Sequence, residues 1–181
     1  MLKFRHIIAW GILFAVLAGW LIVSASRFGG DAAPTGMRSQ TAALPADVDP
    51  AALQRAALDA FTKFARLEAR FDLAFLAYYD DKAAVHLRRL LPDGGTETIE
   101  YGSAGWAELQ RHWYANGAEH ISQDAAPGYN QLHAQVAGNV VIIEGKRRVE
   151  AEGHTGPYKV AMARTEGGDW RIVEEWIESK L

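Results

Sequence analysis

The chain contains no cysteine, which removes disulfides, thiolate nucleophiles and cysteine-bound metals together. It is also short of clustered positive charge. Beyond residue 27 there are sixteen Lys and Arg against twenty-two Asp and Glu, a formal charge of −6. Nucleic-acid binding depends on concentrated phosphate-neutralising charge, so that class of function is excluded. The one basic cluster, Lys146-Arg147-Arg148, is hemmed in by Glu144, Glu150 and Glu152 and reads as a solvated strand edge. No histidine pair falls at a metal-binding spacing, and no motif marks a resident cofactor. There is no internal repeat.

What is present begins with one uninterrupted apolar run, Ile7 to Val23, with Lys3 and Arg5 before it and Arg27 after it. A bilayer leaves backbone polar groups no outside partner, so such a run is expected to be a helix. Its length, about 26 Å at 1.5 Å per residue, nearly matches a hydrocarbon core of about 30 Å. Trp10 and Trp20 fall near its two ends, as interfacial aromatics do. The small excess of positive charge before the run places the N-terminus in the cytoplasm and the main domain outside it, periplasmic or extracellular. The rival reading is a cleaved signal peptide, with small residues around Ala25 at the cut. The run is longer and bulkier than a usual signal core, so the expectation is an uncleaved single-pass anchor over 1–27.

Residues 28–50 carry Gly29-Gly30, Pro34, Gly36 and Pro45 without apolar periodicity and read as a flexible linker. Asp49-Pro50 then reads as a helix cap followed by proline at the first helical position. Leu53, Ala57, Phe61, Phe64, Phe71, Phe75 and Tyr78 form a helical stripe over 51–79, long enough to expect a break near Arg66–Arg70. Pro92-Asp93-Gly94-Gly95 separates two strands, 84–91 and 96–101. A second helix is capped by Ser103 or Gly105, carries Trp106, Leu109, Gln110 and Trp113 along one face, and stops at Asn116-Gly117. Strands 132–137 and 140–152 turn at Gly138-Asn139, and Gly153–Pro157 turns into strand 158–165. The last strand, 170–178, alternates with Trp170, Ile172, Glu174 and Trp176 on one face and Arg171, Val173, Glu175 and Ile177 on the other. Helices first and a mostly antiparallel meander after them define an α+β domain over 51–181.

The helix ending Phe75-Leu76-Ala77-Tyr78-Tyr79-Asp80-Asp81, the helix opened by Gly102-Ser103-Ala104-Gly105-Trp106 and the final Gly168-Asp169-Trp170-Arg171-Ile172 resemble the NTF2-like superfamily, near its SnoaL-like branch. The resemblance implies a curved sheet wrapped around helices as a cone with a pocket at its open end. It implies sheet-paired homodimers, and members that range from isomerases, cyclases and hydrolases to scaffolds. The second helix usual in the family is very short or missing after Lys82. The acid/base aspartates of its isomerases do not align onto this chain, so no catalytic residue is carried over.

A cone fold places chemistry on inward polar groups, whose pKa values burial shifts. Glu174, sharing a strand face with tryptophans, is the foremost catalytic candidate. Tyr78 and Asp80 at the helix end and His112 on the second helix follow. The ordinary alternative for each is a solvated or pocket-rim side chain. His86, His120 and His133 are weaker candidates of the same kind, and Glu144 and Glu175 complete the carboxylates. Tyr79, Trp106, Trp113, Glu144 and Trp176 are the candidate pocket lining, although the tryptophans are first of all core material. Two functions follow: a membrane-anchored interaction or assembly module of the cell envelope, or an enzyme or binder for a small apolar ligand in the cone.

Overall fold

Asp49 and Pro50 open the first helix as their chemistry dictates. The Asp49 carboxylate accepts the Ala51 amide at 3.0 Å, and Pro50 fills a position whose N–H would have no helical partner. In the computed structural model, which describes Leu44 and residues 48–117 and 126–180, α1 runs from Pro50 to Glu68. It buries Leu53, Ala57, Phe61 and Phe64 along one stripe. The expected break is real: Phe71 takes φ +56°, and Asp72 caps a separate 3-10 segment, Leu73–Tyr78, by accepting the Ala74 amide. Leu44 and Val48, in the segment expected to be linker, pack against the core.

The remaining elements are β1 (Tyr79–Leu90), β2 (Thr96–Gly102), α2 (Ser103–Gly117), β3 (Pro127–Ala137), β4 (Val140–Val149), β5 (His154–Arg164) and β6 (Trp170–Lys180). They form a six-stranded curved sheet in the order β2-β1-β6-β5-β4-β3. All neighbours are antiparallel except β1 and β6, which pair in parallel, so the sheet is mixed. Phe61 and Phe64 of α1 meet Tyr129, Tyr158, Phe75 and Tyr79 ring to ring on one face of the sheet, and these aromatics are the centre of the core. The opposite face carries the partly exposed polar residues of every strand.

Several sequence expectations need correction. β1 opens at Tyr79, inside the span read as helix, and β3 opens at Pro127, ahead of the expected Leu132. The turn before β5 is Glu150–Gly153, a 3-10 turn closed by Gly153 at φ +58°, and Thr155–Pro157 belong to the strand. The simple alternation expected along β6 fails at Val173. Met162 pairs with Ile172 and Ala161 with Glu174, so Val173 is an extra residue in the ladder. On the other side, Asp80–Ala83 stand between the pairs Tyr79–Ile172 and Ala84–Glu174. A bulge resets which side chains face in. The inward set is therefore Trp170, Ile172, Glu175 and Ile177, and Glu174 and Trp176 face outward. Among the described residues no helix is long and apolar enough to cross a membrane; the expected anchor, Ile7–Val23, lies outside them.

Candidate functional site

The bulge at Val173 puts a carboxylate where strand geometry calls for a core residue. Glu175 is fully buried, in register with Val85 on one side and Val160 on the other. Two phenols hold it. The Tyr79 hydroxyl donates to Oε2 at 2.5 Å and the Tyr158 hydroxyl to Oε1 at 2.6 Å. Both bonds are strongest when the carboxylate is ionised. Burial nevertheless raises the Glu175 pKa from 4.5 to about 7, helped by the negative charge of Glu68, while the two tyrosines and Arg147 oppose the rise. Desolvation wins because an ion in this core loses its hydration shell and gains only two hydrogen bonds. Burial first, then the neighbouring carboxylate, push both phenols well above their ordinary range, so they stay protonated donors.

A second acid lies nearby. Glu68, from the last turn of α1, accepts the Tyr129 hydroxyl at 2.5 Å. Burial raises its pKa against the pull of Arg147 and of this hydrogen bond. The Tyr129 ring packs on Tyr158 at 4.7 Å between centroids and links the two acids through one aromatic layer.

Open space lies elsewhere. A cleft of about 470 Å³ between α1 and the β5–β6 turn is lined by Asp59, Lys63, Tyr78, Asp169, Trp170 and Arg171. A more apolar cleft of about 270 Å³ lies between α1 and β3, against Phe61, Ala65, Pro127, Tyr129 and Leu132. Neither is lined by Glu175 or Tyr79. Among the described residues no cluster of three His, Asp or Glu could hold a metal ion.

The sequence candidates do not converge. Glu174 faces outward and sits 3.0 Å from His86 Nε2. Asp80 is buried, but one oxygen accepts the Lys82 amide and the other has no partner among the described residues. Tyr78 lines the larger cleft, and His112 is exposed on α2. Of the expected lining, Tyr79 is core and Trp106 is buried, its indole N–H without a partner among the described residues. Trp113 packs on Phe71. Glu144 and Trp176 stand on the outer sheet face. There Trp176 stacks on His86 at 5.2 Å and lies 4.8 Å below the Lys159 ammonium. Glu144 pairs with His133 at 3.3 Å and with Lys159 at 3.8 Å. The sequence reading missed Tyr158, Tyr129 and Glu68, and set Glu175 behind Glu174. One signal was available: both faces of β6 carried large apolar residues, which a regular half-buried strand does not show.

Solved structures share this fold. A protein of unknown function from the DUF3225 family of Pectobacterium atrosepticum is 15% identical, covers 76% of this chain and 98% of its own, and superposes with a TM-score of 0.52. A cystatin-like fold protein of Burkholderia xenovorans is 11% identical over 70% of this chain and 90% of its own, at 0.51. An NTF2-like protein of unknown function from Pseudomonas putida is 13% identical over 70% and 85%, at 0.48. The likeness to the first two is one of fold. No family description and no curated protein matches the sequence.

Proposed function

We propose that this chain is a membrane-tethered interaction module of NTF2-like fold whose working surface is the open face of its sheet. The observation that carries the reading is the state of Glu175. Both of its oxygens are taken by tyrosines in a core filled with aromatic rings, and neither cleft reaches it. A general acid or base needs contact with the proton it moves; this one is enclosed in the core. The apolar run Ile7–Val23 supplies the tether, with the domain outside the cytoplasm. An experiment on the full chain tests the reading. In detergent extracts of membranes the wild type should run as an assembly larger than one chain. Trp176→Glu, on the outer face, should reduce it to a single chain with its melting temperature within about 2 °C of wild type. A single-chain wild type would sink the proposal.

The apolar cleft between α1 and β3 favours a second reading, a binder or enzyme for a small apolar molecule reaching the domain from the bilayer. Saturable binding of small apolar carbonyl compounds, lost in Leu132→Arg, would support it. Turnover that disappears in Glu175→Gln would establish acid–base chemistry and displace the first reading.

A further inference from the structure

Helix α1 has two opposed sides. At about 100° per residue, the buried Leu53, Ala57, Phe61 and Phe64 fall within an arc of roughly 80°. Arg55, Lys63 and Arg66 fall within another arc of roughly 80° on the opposite side, and all three are exposed. Arg70 continues the row in the turn after α1, where its amide still bonds to the Leu67 carbonyl. The stripe is about 22 Å long, and Asp59 is the one acid on it. Arg55 keeps only a 4.0 Å approach to Asp49, and Lys63, Arg66 and Arg70 have no ion-pair partner among the described residues. Elsewhere Arg88, Arg89, Arg148 and Lys159 each pair with a glutamate. Lys82, Arg111, Lys146 and Lys180 come one to an element. Unpaired positive charge is thus gathered on one side of α1, in a domain whose net charge is −6.

A straight row of free cations fits an extended surface of negative charge, and anionic lipid headgroups are such a surface. The side of α1 between these cations carries Ala56 and Thr62 and no large apolar group, so attraction there is by charge alone. Leu73, a large apolar side chain left exposed, stands three residues beyond Arg70. The proposed tether brings lipid within reach. Twenty residues lie between Val23 and Leu44, which packs on the core, and they span at most about 70 Å. Confinement of that kind raises the effective concentration of the surface to about the millimolar range, so modest affinity suffices. Each basic group near an anionic surface strengthens binding about five-fold, and four against one acid give roughly a hundred-fold. The acidic remainder of the domain is repelled by the same surface, which fixes which side approaches it.

We infer that the outward side of α1 lies on an anionic phospholipid surface, with Arg55, Lys63, Arg66 and Arg70 over the headgroup phosphates. The inference rests on the tether reading and adds an orientation to it. Asp169 and Arg171, across the larger cleft from Lys63, pair with each other at 3.8 Å and leave the positive side intact. Because α1 covers one face of the sheet, this pose turns the opposite face, with His86 and Trp176, away from the lipid. That is the face the interaction-module reading needs open.

The absence of cysteine allows one label per full-length chain. Thr62→Cys, on the outward side of α1, and Glu100→Cys, on the outer sheet face, each carry a fluorophore. The chains are reconstituted into phosphatidylcholine vesicles holding about a quarter phosphatidylglycerol and a trace of lipid with a nitroxide headgroup. The label at Thr62→Cys should be quenched at least five-fold more than that at Glu100→Cys. The difference should vanish in phosphatidylcholine alone and in about 0.5 M salt, which screens the charges. Lys63→Glu/Arg66→Glu/Arg70→Glu should abolish it, and Lys63→Arg/Arg66→Lys/Arg70→Lys should keep it. The lipid and salt arms use one unaltered stripe, so they decide even where the charge-reversed chain fails to fold. Equal quenching of both labels in chains that float with the vesicles keeps the tether and overturns the lipid-facing helix. A chain that floats with neither vesicle has no tether, and the inference falls with it. Shielding of the Thr62→Cys thiol in membrane extracts but not in vesicles overturns lipid in favour of an acidic partner protein.

Discussion

Tyr79 and Glu175, 96 residues apart, are joined by a 2.5 Å hydrogen bond in the interior of the domain. The bond ties the first strand of the sheet to the last, next to their parallel pairing. It also places a titrating group in the core, which makes stability depend on pH in a definite direction. The folded pKa of Glu175 is about 7, above its ordinary 4.5, so the folded state binds the proton more tightly than the unfolded chain. The resulting stabilisation is complete below pH 4.5 and is lost as pH rises through 7. Relative to Glu175→Gln, the wild type should lose roughly 3 kcal/mol of stability between pH 4.5 and pH 8. Chemical denaturation in mild detergent at several pH values measures this. Parallel profiles for the two proteins would refute it.

Tyr158→Phe removes the donor to Glu175 Oε1 and fills nearly the same space. The orphaned oxygen should cost about 1–3 kcal/mol. Because the lost hydrogen bond favours the ionised acid, the penalty should be larger at pH 8 than at pH 5. The Glu175 transition should move to higher pH in the variant. A penalty equal at both pH values would mean that the phenol acts only by packing.

Local chemistry was legible in the sequence, and long-range registration was not. Asp49-Pro50, Pro92-Asp93-Gly94-Gly95 and Gly138-Asn139 declare a helix start and two turns because each acts through its own backbone; Gly94 and Gly138 hold φ +85° and +61° in those turns. The order of elements and the α+β class followed from such signals. Glu175 was hidden for the opposite reason. Its inward orientation is set by an extra residue at Val173, and that bulge exists only because β1 and β5 pair with β6 out of step. Tyr158 and Tyr129 looked like any strand aromatics until the fold brought them to the two carboxylates. The outer-face contacts of His86, Trp176, Lys159, Glu144 and His133 are likewise invisible along the chain, since each of these residues comes from a different strand.

Gly145 is required for close approach of strands. A Cβ there would lie 2.7 Å from the Leu132 side chain and 2.8 Å from the Asn130 carbonyl oxygen. The crowding comes from β3, which breaks its register between Asn130 and His133 and holds Gln131 at φ +54°. Backbone cannot step aside as a flexible side chain can, so Gly145→Ala should destabilise by about 1–3 kcal/mol. Gly128→Ala is the control. Its nearest neighbour would be the Arg148 carbonyl oxygen at 3.9 Å, and its effect should stay within about 0.5 kcal/mol. Denaturation midpoints of the two variants, measured side by side, decide the matter; equal losses would sink the crowding argument.

The tether and the fold should be separable. All the packing described above lies within the compact unit Ser39–Lys180, and the buried acids and tyrosines are inside it. A chain beginning at Ser39 should therefore keep the near-ultraviolet spectrum of its buried aromatics and remain in the soluble fraction. The full chain should stay with membranes through an alkaline carbonate wash, because the proposed tether, the apolar run Ile7–Val23, would be held by burial and not by charge. Intact mass then distinguishes retention from cleavage. An anchor gives the full-length mass in the membrane fraction, and a signal peptide gives a shorter, washable product beginning near Ser26. That second result would remove the tether from the proposed function while leaving the fold untouched, since every described residue lies beyond the cut.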